Sequence, residues 1–403
     1  MTDQVLERSS GGTVSCSAVV SDSADRSSIR LESRLERCQE VHFSSDVFSA
    51  DNSLVENCIA GRTPLVVLSP AVDRLYGPRI RSYFDGLAAP SHFLVLQRGE
   101  RSKVIDGALE ICERASVVGL RRTDPIVAIG GGVCSDICGV AAALHRRGTP
   151  HINVPTTLIG LVDAGIGTKN GVNHGGRKSA LGSFHPPEHA ILDRAFLATL
   201  PGWAIASGLA EVIKLATATD SRLFALVAES GASLVRTRFQ DPGGAADTII
   251  ERSVRGMLVQ LADNLFEIDN YRRRVDFGHT FSPYFETASA YSLTHGEAVA
   301  LDIALSTEIA RALGHIEDSE GEAILSLLEL VGLELVWQNT SVSDLWQTLQ
   351  AVLEHRNGDL HLVVPSSVGE CTFVPMECIT PQLLRACTDG LQCRPANAEL
   401  GIP

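Results

Sequence analysis

The sequence has no apolar run of the roughly 20 residues that a membrane-spanning helix needs. The first thirty residues also lack the apolar segment of a secretory signal peptide. Both absences argue against a membrane-spanning or exported protein, and we expect a cytoplasmic location.

Positive charge is scarce as well, because 34 lysines and arginines face 48 acidic residues, which gives a net charge of −14. A chain of this sign is not attracted to nucleic acid or to an anionic membrane, so we expect neither as a partner. A Cys-x-x-Cys pair is missing, which argues against a zinc knuckle. The ten irregularly spaced cysteines are expected to be buried thiols in a reducing compartment.

The length of 403 residues suits two domains. Short apolar runs bounded by turn residues predict buried strands, and the pattern becomes mostly helical from Trp203 onward. The predicted strands are 41–43, 65–68, 93–96, 126–129 and 190–193, and the predicted helices of this half are 103–115 and 136–147. A late strand over 360–365 is expected to return to the first domain.

These patterns predict four segments. Residues 1–30 are rich in serine and are expected to be a disordered tail. An α/β domain is expected over 31–200 and a mostly helical domain over 201–390. Residues 391–403 are expected to be a flexible tail.

A glycine-rich turn, Gly130-Gly131-Gly132, directly follows the apolar residues 126–129. Glycines at such a turn let backbone amides approach phosphate oxygens, and the N-terminus of the following helix favours negative charge. The spacing is not the Gly-x-Gly-x-x-Gly of the Rossmann fingerprint. The turn alone is therefore also compatible with a simple change of chain direction.

Two histidines and a glutamate offer a second kind of chemistry. Glu211, His279 and His295 stand among small residues and form the N,N,O donor set of an open zinc-type site. Three protein ligands leave a position for a substrate oxygen, so the metal can act as a Lewis acid. A lone histidine is more often a polar residue on a helix surface. The presence of the glycine-rich turn in the same sequence nevertheless favours the metal site.

The order of these motifs resembles that of the sugar phosphate cyclases, the superfamily of dehydroquinate synthase, from about residue 65 to residue 365. The matching elements are Gly99-Glu100-Arg101-Ser102-Lys103, 130–136, Pro155-Thr156-Thr157, Val162-Asp163 with Lys169, 208–214, Gly278-His279-Thr280 and His295-Gly296-Glu297. The resemblance implies a dehydroquinate synthase-like fold, in which an α/β N-terminal dinucleotide-binding domain precedes a mostly α-helical C-terminal metal-binding domain. It also implies NAD, one divalent metal ion (zinc or cobalt), a small sugar phosphate substrate and a homodimer.

The resemblance assigns roles to single residues. The implied cofactor-binding residues are Asp73, Glu100, Lys103, Gly131, Gly132, Asp136, Thr156, Thr157, Lys169, Lys178 and Thr199. The implied substrate-binding residues are Arg147, Asp163, Lys169, Lys214, Arg272 and Asp276, with Arg147 acting across the dimer interface. The implied catalytic residues are Asp163, Lys169, Lys214, Asp276, Glu211 and His279, and the metal ligands are Glu211, His279 and His295. Plainer roles stay open for Lys103 as a solvated helix residue, Arg147 as a surface charge and Asp136 as a helix cap.

Several positions depart from the dehydroquinate synthase pattern. Pro283 stands where that family has a phosphate-binding histidine, and proline has no backbone N–H to donate. Asp276 replaces an asparagine, which exchanges an amide for an acceptor-only carboxylate. Met257 aligns with the lysine that binds the substrate carboxylate, and Ser179 replaces a second asparagine.

These changes remove a cation and add an anion, so a substrate carboxylate would be costly to desolvate. The segment 276–283 resembles the branch that cyclises sedoheptulose 7-phosphate, chiefly the 2-epi-5-epi-valiolone synthases of aminocyclitol and antibiotic biosynthesis. The implied reaction runs through transient NAD-dependent oxidation, phosphate elimination, reduction, ring opening and intramolecular aldol closure.

Three alternatives stay open. A 2-epi-valiolone synthase or a 3-dehydroquinate synthase would share most of these residues. An NAD- and metal-dependent alcohol dehydrogenase shares the two-domain plan but would leave the phosphate-binding lysines without a task. A silent binding protein is disfavoured because all three metal ligands are present.

Overall fold

The computed structural model describes residues 4–9, 14–22, 28–97, 103–262, 273–355 and 361–394. The chain begins with a three-stranded antiparallel sheet of β1 (Gln4–Ser9), β2 (Val14–Asp22) and β3 (Ile29–Arg37). These strands differ from the tail expected over residues 1–30. Apolar residues alternate with serine at the start of β2, and this period of two is typical of a strand despite the serine-rich composition.

A six-stranded parallel sheet forms the centre of the first half. Its order is β4-β11-β8-β7-β5-β6, and every neighbouring pair is parallel. The strands are β4 (Glu40–Ser44), β5 (Leu65–Leu68), β6 (His92–Val95), β7 (Ile126–Gly130), β8 (His151–Pro155) and β11 (His189–Asp193). The hairpin of β9 (Lys169–His174) and β10 (Arg177–Phe184) lies between β8 and β11 in the chain. All five predicted strands of this half are confirmed.

Helices cover both faces of this sheet, as the continuous apolar strands require. They are α1 (Leu54–Ile59), α2 (Pro70–Asp85), α3 (Ile105–Val117) and α4 (Gly132–Leu144). One core joins the sheet to α1 and α2, and another joins it to α3 and α4. Helix α4 begins earlier than predicted because the glycine turn itself enters the helix. It ends earlier because Arg146 and Arg147 have positive φ angles.

The second half is mostly helical. Its helices are α5 (Gly202–Thr219), α6 (Ser221–Arg236), α7 (Gly243–Ala262), α8 (Ser282–Ala288), α9 (His295–Ala312), α10 (Asp318–Leu330), α11 (Val342–His355) and α12 (Pro381–Gln392). The largest core is built around α5 and α9, which are buried along most of their length. Helix α12 runs past residue 391, where the flexible tail was expected to begin, and residues 395–403 lie outside the described chain.

The predicted late strand exists, but it does not return to the first sheet. Strand β12 (His361–Ser367) pairs antiparallel with β13 (Glu370–Pro375) and packs against α9. Gly369 has a φ of +97° and makes the reversal between them possible. The expectation was therefore wrong, because a tight turn supplies the partner strand locally.

Nine of the ten cysteines have described side chains, and all nine are free thiols. Five are buried as expected, whereas Cys38, Cys378 and Cys393 are exposed. Across the described residues, no helix combines the length and the apolar character needed to span a membrane.

Candidate active site

The three predicted metal ligands come together in the structure. Glu211 lies in the middle of α5, His279 in the loop before α8, and His295 at the first turn of α9. The Glu211 Oε1 atom is 3.1 Å from His295 Nε2 and 3.7 Å from His279 Nε2. One donor atom from each of the three residues lies within 4.8 Å of the others.

Close packing of two helices fixes this geometry. A Cβ atom on Gly296 would stand 2.0 Å from the Ser207 carbonyl oxygen, so only glycine lets the start of α9 approach α5 this closely. Gly278 has a φ of +73°, a conformation that side chains disfavour. The buried Asp302 carboxylate accepts hydrogen bonds from the backbone N–H groups of Phe281 and Ser282, which ties the His279 loop to α9.

His295 is oriented by a residue that the sequence analysis missed. The Glu286 carboxylate lies 2.7 Å from His295 Nδ1, and a carboxylate can only accept here. The proton is therefore assigned to Nδ1, which leaves the Nε2 lone pair directed toward Glu211. Glu286 stands seven residues after His279, one turn into α8, and this spacing on a short helix was the available signal.

Lys178 completes this arrangement. Its Nζ atom lies 2.7 Å from Glu286 and 3.1 Å from His295 Nδ1. Burial alone would raise the pKa of Glu286, but the hydrogen bond to His295 and the charge of Lys178 lower that pKa to about 2. The structure thus places Lys178 beside the metal-type cluster, and its role toward the cofactor stays a prediction.

Electrostatics keep Glu211 charged and His279 neutral, the states that bind a cation, whereas the hydrogen bonds of His295 to Glu211 and Glu286 raise the pKa of His295. Burial opposes the charge of Glu211, but Lys214 at 2.5 Å and the two histidines hold the pKa of Glu211 well below its usual value. Burial and the Lys214 charge lower the pKa of His279, so its imidazole is neutral. Burial alone would also lower the pKa of Lys214, but Glu211 and Asp163 outweigh it and raise that pKa.

The cluster fits a divalent metal ion. A tetrahedral site with bonds of about 2.0–2.1 Å has donor–donor edges of about 3.3 Å, close to the distances seen here. His279 Nδ1 is buried and has no hydrogen-bond partner among the described residues. Such an orphaned atom is accounted for when one nitrogen of the ring bonds a metal and the other reaches a bound molecule.

The glycine turn lies at the carboxyl end of β7 and leads directly into α4, with Gly131 at the N-cap. Cβ atoms on Gly131 and Gly132 would stand 3.0 Å from Thr157 and 3.1 Å from Ala164. Because these two residues have no side chains, a narrow concave space, called the cradle below, lies at the N-terminus of α4. A pyrophosphate group can occupy a space of this kind.

Lys103 and Asp136 form an ion pair close to this turn. The Lys103 Nζ atom lies 2.5 Å from Asp136, and both side chains are largely buried. Asp136 also accepts a hydrogen bond from the Gly171 backbone N–H. Asp136 is thus inside α4 and not at its cap, and Lys103 is not a solvated helix residue, so both plainer roles are excluded.

Asp163 stands between the two halves of the site. It belongs to the π-helical turn Gly160–Ala164, which follows Thr156 and Thr157 and packs against both α4 and α5. Burial and the charge of Glu211 raise the pKa of Asp163. Asp163 therefore interacts electrostatically with Glu211 of the metal-type cluster and with Asp136 of α4, the helix that follows the glycine turn.

Asp276 is not a lone anion. Its carboxylate lies 2.5 Å from Arg273, which the sequence analysis did not single out. Burial and the Arg273 charge lower the pKa of Lys169 to about 8, while Asp276 and Asp163 act in the opposite sense. These residues form a second charged group beside Lys214.

The other two substituted positions have different surroundings. Met257 on α7 is buried in the largest core, among apolar side chains. Pro283 is exposed in the first turn of α8, where a missing N–H costs nothing. Neither observation bears directly on substrate choice, which stays a prediction for both.

The remaining predicted residues are spread more widely. Asp73 pairs with Arg81 within α2 at 2.6 Å, and Thr199 lies 3.0 Å from the Tyr76 hydroxyl. Arg147 is exposed at the far end of α4, and the 13 residues of that helix place it about 20 Å from the glycine turn. Glu100 and Arg272 lie outside the described residues.

Comparison with family models gives two adjoining matches. Residues 93–207 match the 3-dehydroquinate synthase N-terminal model, and residues 208–352 match the 3-dehydroquinate synthase C-terminal model. The boundary falls at Gly208, inside α5, immediately before Glu211.

Individual proteins give closer matches. A 2-epi-5-epi-valiolone synthase of Streptomyces glaucescens is 40% identical over 87% of this chain and 90% of its own length. A 3-dehydroquinate synthase of Acidithiobacillus ferrooxidans is 32% identical over 86% and 95%. The solved structure of ValA, a 2-epi-5-epi-valiolone synthase from Streptomyces hygroscopicus subsp. jinggangensis with NAD+ and Zn2+ bound, superposes with a TM-score of 0.86. It is 36% identical and covers 90% of this chain and 99% of that one.

Proposed function

Because the chain belongs to the 3-dehydroquinate synthase family of sugar phosphate cyclases, we propose that it converts sedoheptulose 7-phosphate to 2-epi-5-epi-valiolone with loss of phosphate. The observation that carries this proposal is the position of Asp163, which links the glycine turn after β7 to the Glu211, His279 and His295 cluster. The higher identity to the valiolone synthase than to the 3-dehydroquinate synthase supports the choice of substrate.

The ValA structure holds NAD+ and Zn2+. In this chain we place NAD at the glycine turn and one divalent metal ion at Glu211, His279 and His295. When bound, NAD supplies a reversible hydride acceptor and the metal a Lewis acid. Gly131 and Gly132 open the cradle, Glu211 carries the negative charge, and His279 and His295 contribute neutral nitrogens.

The chain's own groups then have separate tasks. Lys214 is buried, positively charged and one helical turn from Glu211, so it can bind a substrate oxygen next to the cluster. Lys169 and Arg273 offer further positive charge for phosphate oxygens. Asp163, with its raised pKa, can hold or accept the proton of a hydroxyl group that is being oxidised.

In this proposal, the positioning of the reacting groups contributes most to catalysis. Glu286 accepts from His295 Nδ1 and holds the ring, Lys178 donates to Glu286, and Asp302 holds the His279 loop. Groups held this firmly lower the entropic cost of bringing the reacting atoms together. Few strong bases are needed, since the departing phosphate can take up a proton itself.

Product analysis tests the assignment. Purified protein is incubated with sedoheptulose 7-phosphate or with the heptulosonate substrate of dehydroquinate synthase, and products are identified by NMR. We expect turnover of the first substrate only, with product far exceeding the NAD supplied and no net NADH. Equimolar NADH and product would instead identify a dehydrogenase, and turnover of the heptulosonate would identify a 3-dehydroquinate synthase.

We also propose a homodimer. Ile29, Leu31 and Leu35 point to one face of β3 and are 75%, 67% and 54% exposed, an apolar stripe that a second copy can cover. The distance of Arg147 from its own glycine turn supports a role in the partner's site.

Mixing two inactive variants tests the homodimer and the role of Arg147 together. A chain with Arg147→Ala and a chain with Lys214→Ala are refolded together and compared with each alone. Shared sites would restore about a quarter of wild-type activity, because one site in each mixed dimer would receive both intact residues. Light scattering that gives a monomer mass, or no recovery on mixing, contradicts the shared site.

A further inference from the structure

A second group of metal-type donors lies away from the candidate active site, at the amino ends of the parallel strands. His42 comes from β4, His189 from β11 and Cys58 from α1. One donor atom from each lies within 4.8 Å of the other two. The glycine turn follows the carboxyl end of β7, so the two groups lie at opposite ends of the strands of the same sheet.

The donor atoms have the spacing of a coordination sphere. His42 Nε2 lies 3.2 Å from His189 Nδ1. The Glu40 carboxylate oxygen Oε2 is 3.5 Å from the first nitrogen and 3.6 Å from the second. These three atoms form a triangle whose sides match the edge of about 3.3 Å expected for a tetrahedral site with bonds of about 2.0–2.1 Å.

The fold, and not chance exposure, brings these side chains together. Strands β4 and β11 pair in parallel with His189 opposite Glu40, so Glu40, His42 and His189 extend from the same face of the sheet. Cys58 is buried in the core under that face.

Arg62 fixes the end of α1 against this edge. Its guanidinium donates to the Cys58 carbonyl at 2.7 Å and the Ile59 carbonyl at 2.8 Å. Its charge is matched by Glu188 at 2.8 Å, the residue directly before His189. The thiol is thereby held in a defined position relative to the imidazoles.

We propose that Glu40, His42, Cys58 and His189 bind a divalent transition-metal ion of the zinc class. The sulphur of Cys58 and the two imidazole nitrogens already lie together and suit zinc. The half-exposed Glu40 carboxylate, next to both imidazoles, completes four protein ligands, which leaves no open position for a substrate. The site is therefore structural and joins α1 to the edge of the sheet.

Proton and charge balance are simple. As the sulphur bonds the cation, the Cys58 thiol releases its proton to solvent, and both imidazoles bind in the neutral form. Thiolate and carboxylate together cancel the two positive charges of the ion. No oxidant, reductant or second molecule is required.

Cobalt substitution separates this site from the catalytic one. Metal-free protein is titrated with Co2+ while the near-ultraviolet absorption is followed. A thiolate-to-cobalt charge-transfer band can arise only where a cysteine is a ligand, and the Glu211, His279 and His295 set has none. We expect about two cobalt ions per chain at saturation and a thiolate band that belongs to one of them.

Variants assign the band. Cys58→Ser removes it and weakens cobalt binding at this site at least about tenfold, and His42→Gln weakens binding there to a similar degree. Glu211→Gln loses the other cobalt ion but keeps the band. Cys387→Ser is the matched control, because Cys387 is another buried free thiol with no histidine partner in this group, and it leaves the band unchanged.

The outcome that overturns the proposal needs no variant. A wild-type protein that saturates at about one cobalt ion per chain without a thiolate band has no such site, and the two imidazoles then merely share a hydrogen bond. A band that survives in Cys58→Ser and disappears in Cys387→Ser also contradicts the assignment. Melting of each metal-free variant checks that it is folded, and His42→Gln, a change at a partly exposed side chain, serves if Cys58→Ser is not.

Discussion

At the scale of single residues, the candidate site is an array of paired charges. Four of its cations have a carboxylate beside them, as desolvated charges require. The pairs are Lys103 with Asp136, Lys178 with Glu286, Lys214 with Glu211, and Arg273 with Asp276. Since these charges nearly cancel, a divalent cation would supply the extra positive charge that a phosphate dianion needs.

The pair of Asp276 and Arg273 yields the first prediction. Asp276→Asn removes a charge that strengthens a hydroxyl contact and leaves Arg273 without its anion. Charge-assisted hydrogen bonds contribute about 1.5–3 kcal/mol, so kcat/KM for sedoheptulose 7-phosphate should fall about tenfold to a hundredfold. Steady-state kinetics on both proteins measure this.

The control for that measurement is Glu251→Gln, which makes the same type of change in the exposed Glu251–Arg255 pair and should leave kcat/KM unaltered. An unchanged kcat/KM in Asp276→Asn would show that Asp276 does not contact the substrate. Met257→Lys is a poor specificity test, because Met257 is a core residue whose replacement by a charge threatens folding.

Lys169 gives a prediction about pH. Its pKa is lowered to about 8 by burial and by Arg273, so the amine is charged below that pH and neutral above it. Substrate phosphate should therefore bind less well as pH rises through about 8, and kcat/KM should fall on the alkaline side by up to about tenfold per pH unit. Lys169→Arg keeps its charge, so its alkaline limb should move to higher pH. The same limb in both proteins would assign it to another group.

At the scale of elements, the contact between α5 and α9 sets the active-site geometry. Glu211 and Lys214 come from α5, and His295 begins α9. The side chain of Thr294 and that of Glu297 form a capping box at the start of α9, which fixes the direction of that helix. The metal-type cluster therefore depends on how closely these two helices approach.

Gly296→Ala tests this dependence. Its Cβ would overlap the Ser207 carbonyl, so the start of α9 must shift, and the stability should fall by about 1–3 kcal/mol as in other overpacked contacts. Metal affinity should fall as well, because His295 moves with the helix. Urea unfolding and metal titration measure the two effects.

Gly244→Ala in α7 is the matched control, since its Cβ would meet no atom within 4 Å. It should be neutral or slightly stabilising, as alanine is the better helix former. Wild-type stability and metal affinity in Gly296→Ala would show that the helices adjust without disturbing the cluster.

At the scale of the whole molecule, the two halves of the chain contribute different parts of the candidate site. The glycine turn belongs to the parallel sheet, whereas the three metal-type ligands belong to the helical half. The turn Gly160–Ala164, with Asp163, packs against α4 and α5, and Lys178 on β10 reaches Glu286 and His295 in the helical half. The site is thus assembled at the junction of two cores.

This division predicts that metal removal abolishes turnover and leaves NAD bound. A chelator should strip the ion from Glu211, His279 and His295 without disturbing the cradle at α4. Activity and NAD content are measured separately before and after chelation, and again after zinc or cobalt is returned. The Cys58→Ser variant should respond in the same way, because the second proposed site is not catalytic. Full activity in metal-free protein would sink the metal assignment.

The sequence by itself determined five of the six strands of the parallel sheet, the glycine turn and the identity of the three metal-type ligands. These features are local, because short apolar runs and glycine clusters predict a strand or a turn from a few consecutive residues. The family motifs added the order in which the parts occur. The strand over 360–365 was predicted, but its partner was not, because β13 pairs with it across a tight turn. Residues 1–30 were expected to be a tail, since their serine-rich composition did not indicate the pairing of β1, β2 and β3.

Only the tertiary structure decided which distant side chains meet. Glu286 and Lys178 are 108 residues apart, and His42 and His189 are 147 apart, yet each pair is in contact. Such contacts follow from strand order and helix packing, and no local sequence pattern encodes either of them. Strands β4 and β11, for example, pair with each other although the other four strands of the sheet lie between them in the chain. The second donor group was therefore invisible to a search for closely spaced cysteines and became apparent only when the sheet brought its members to one edge.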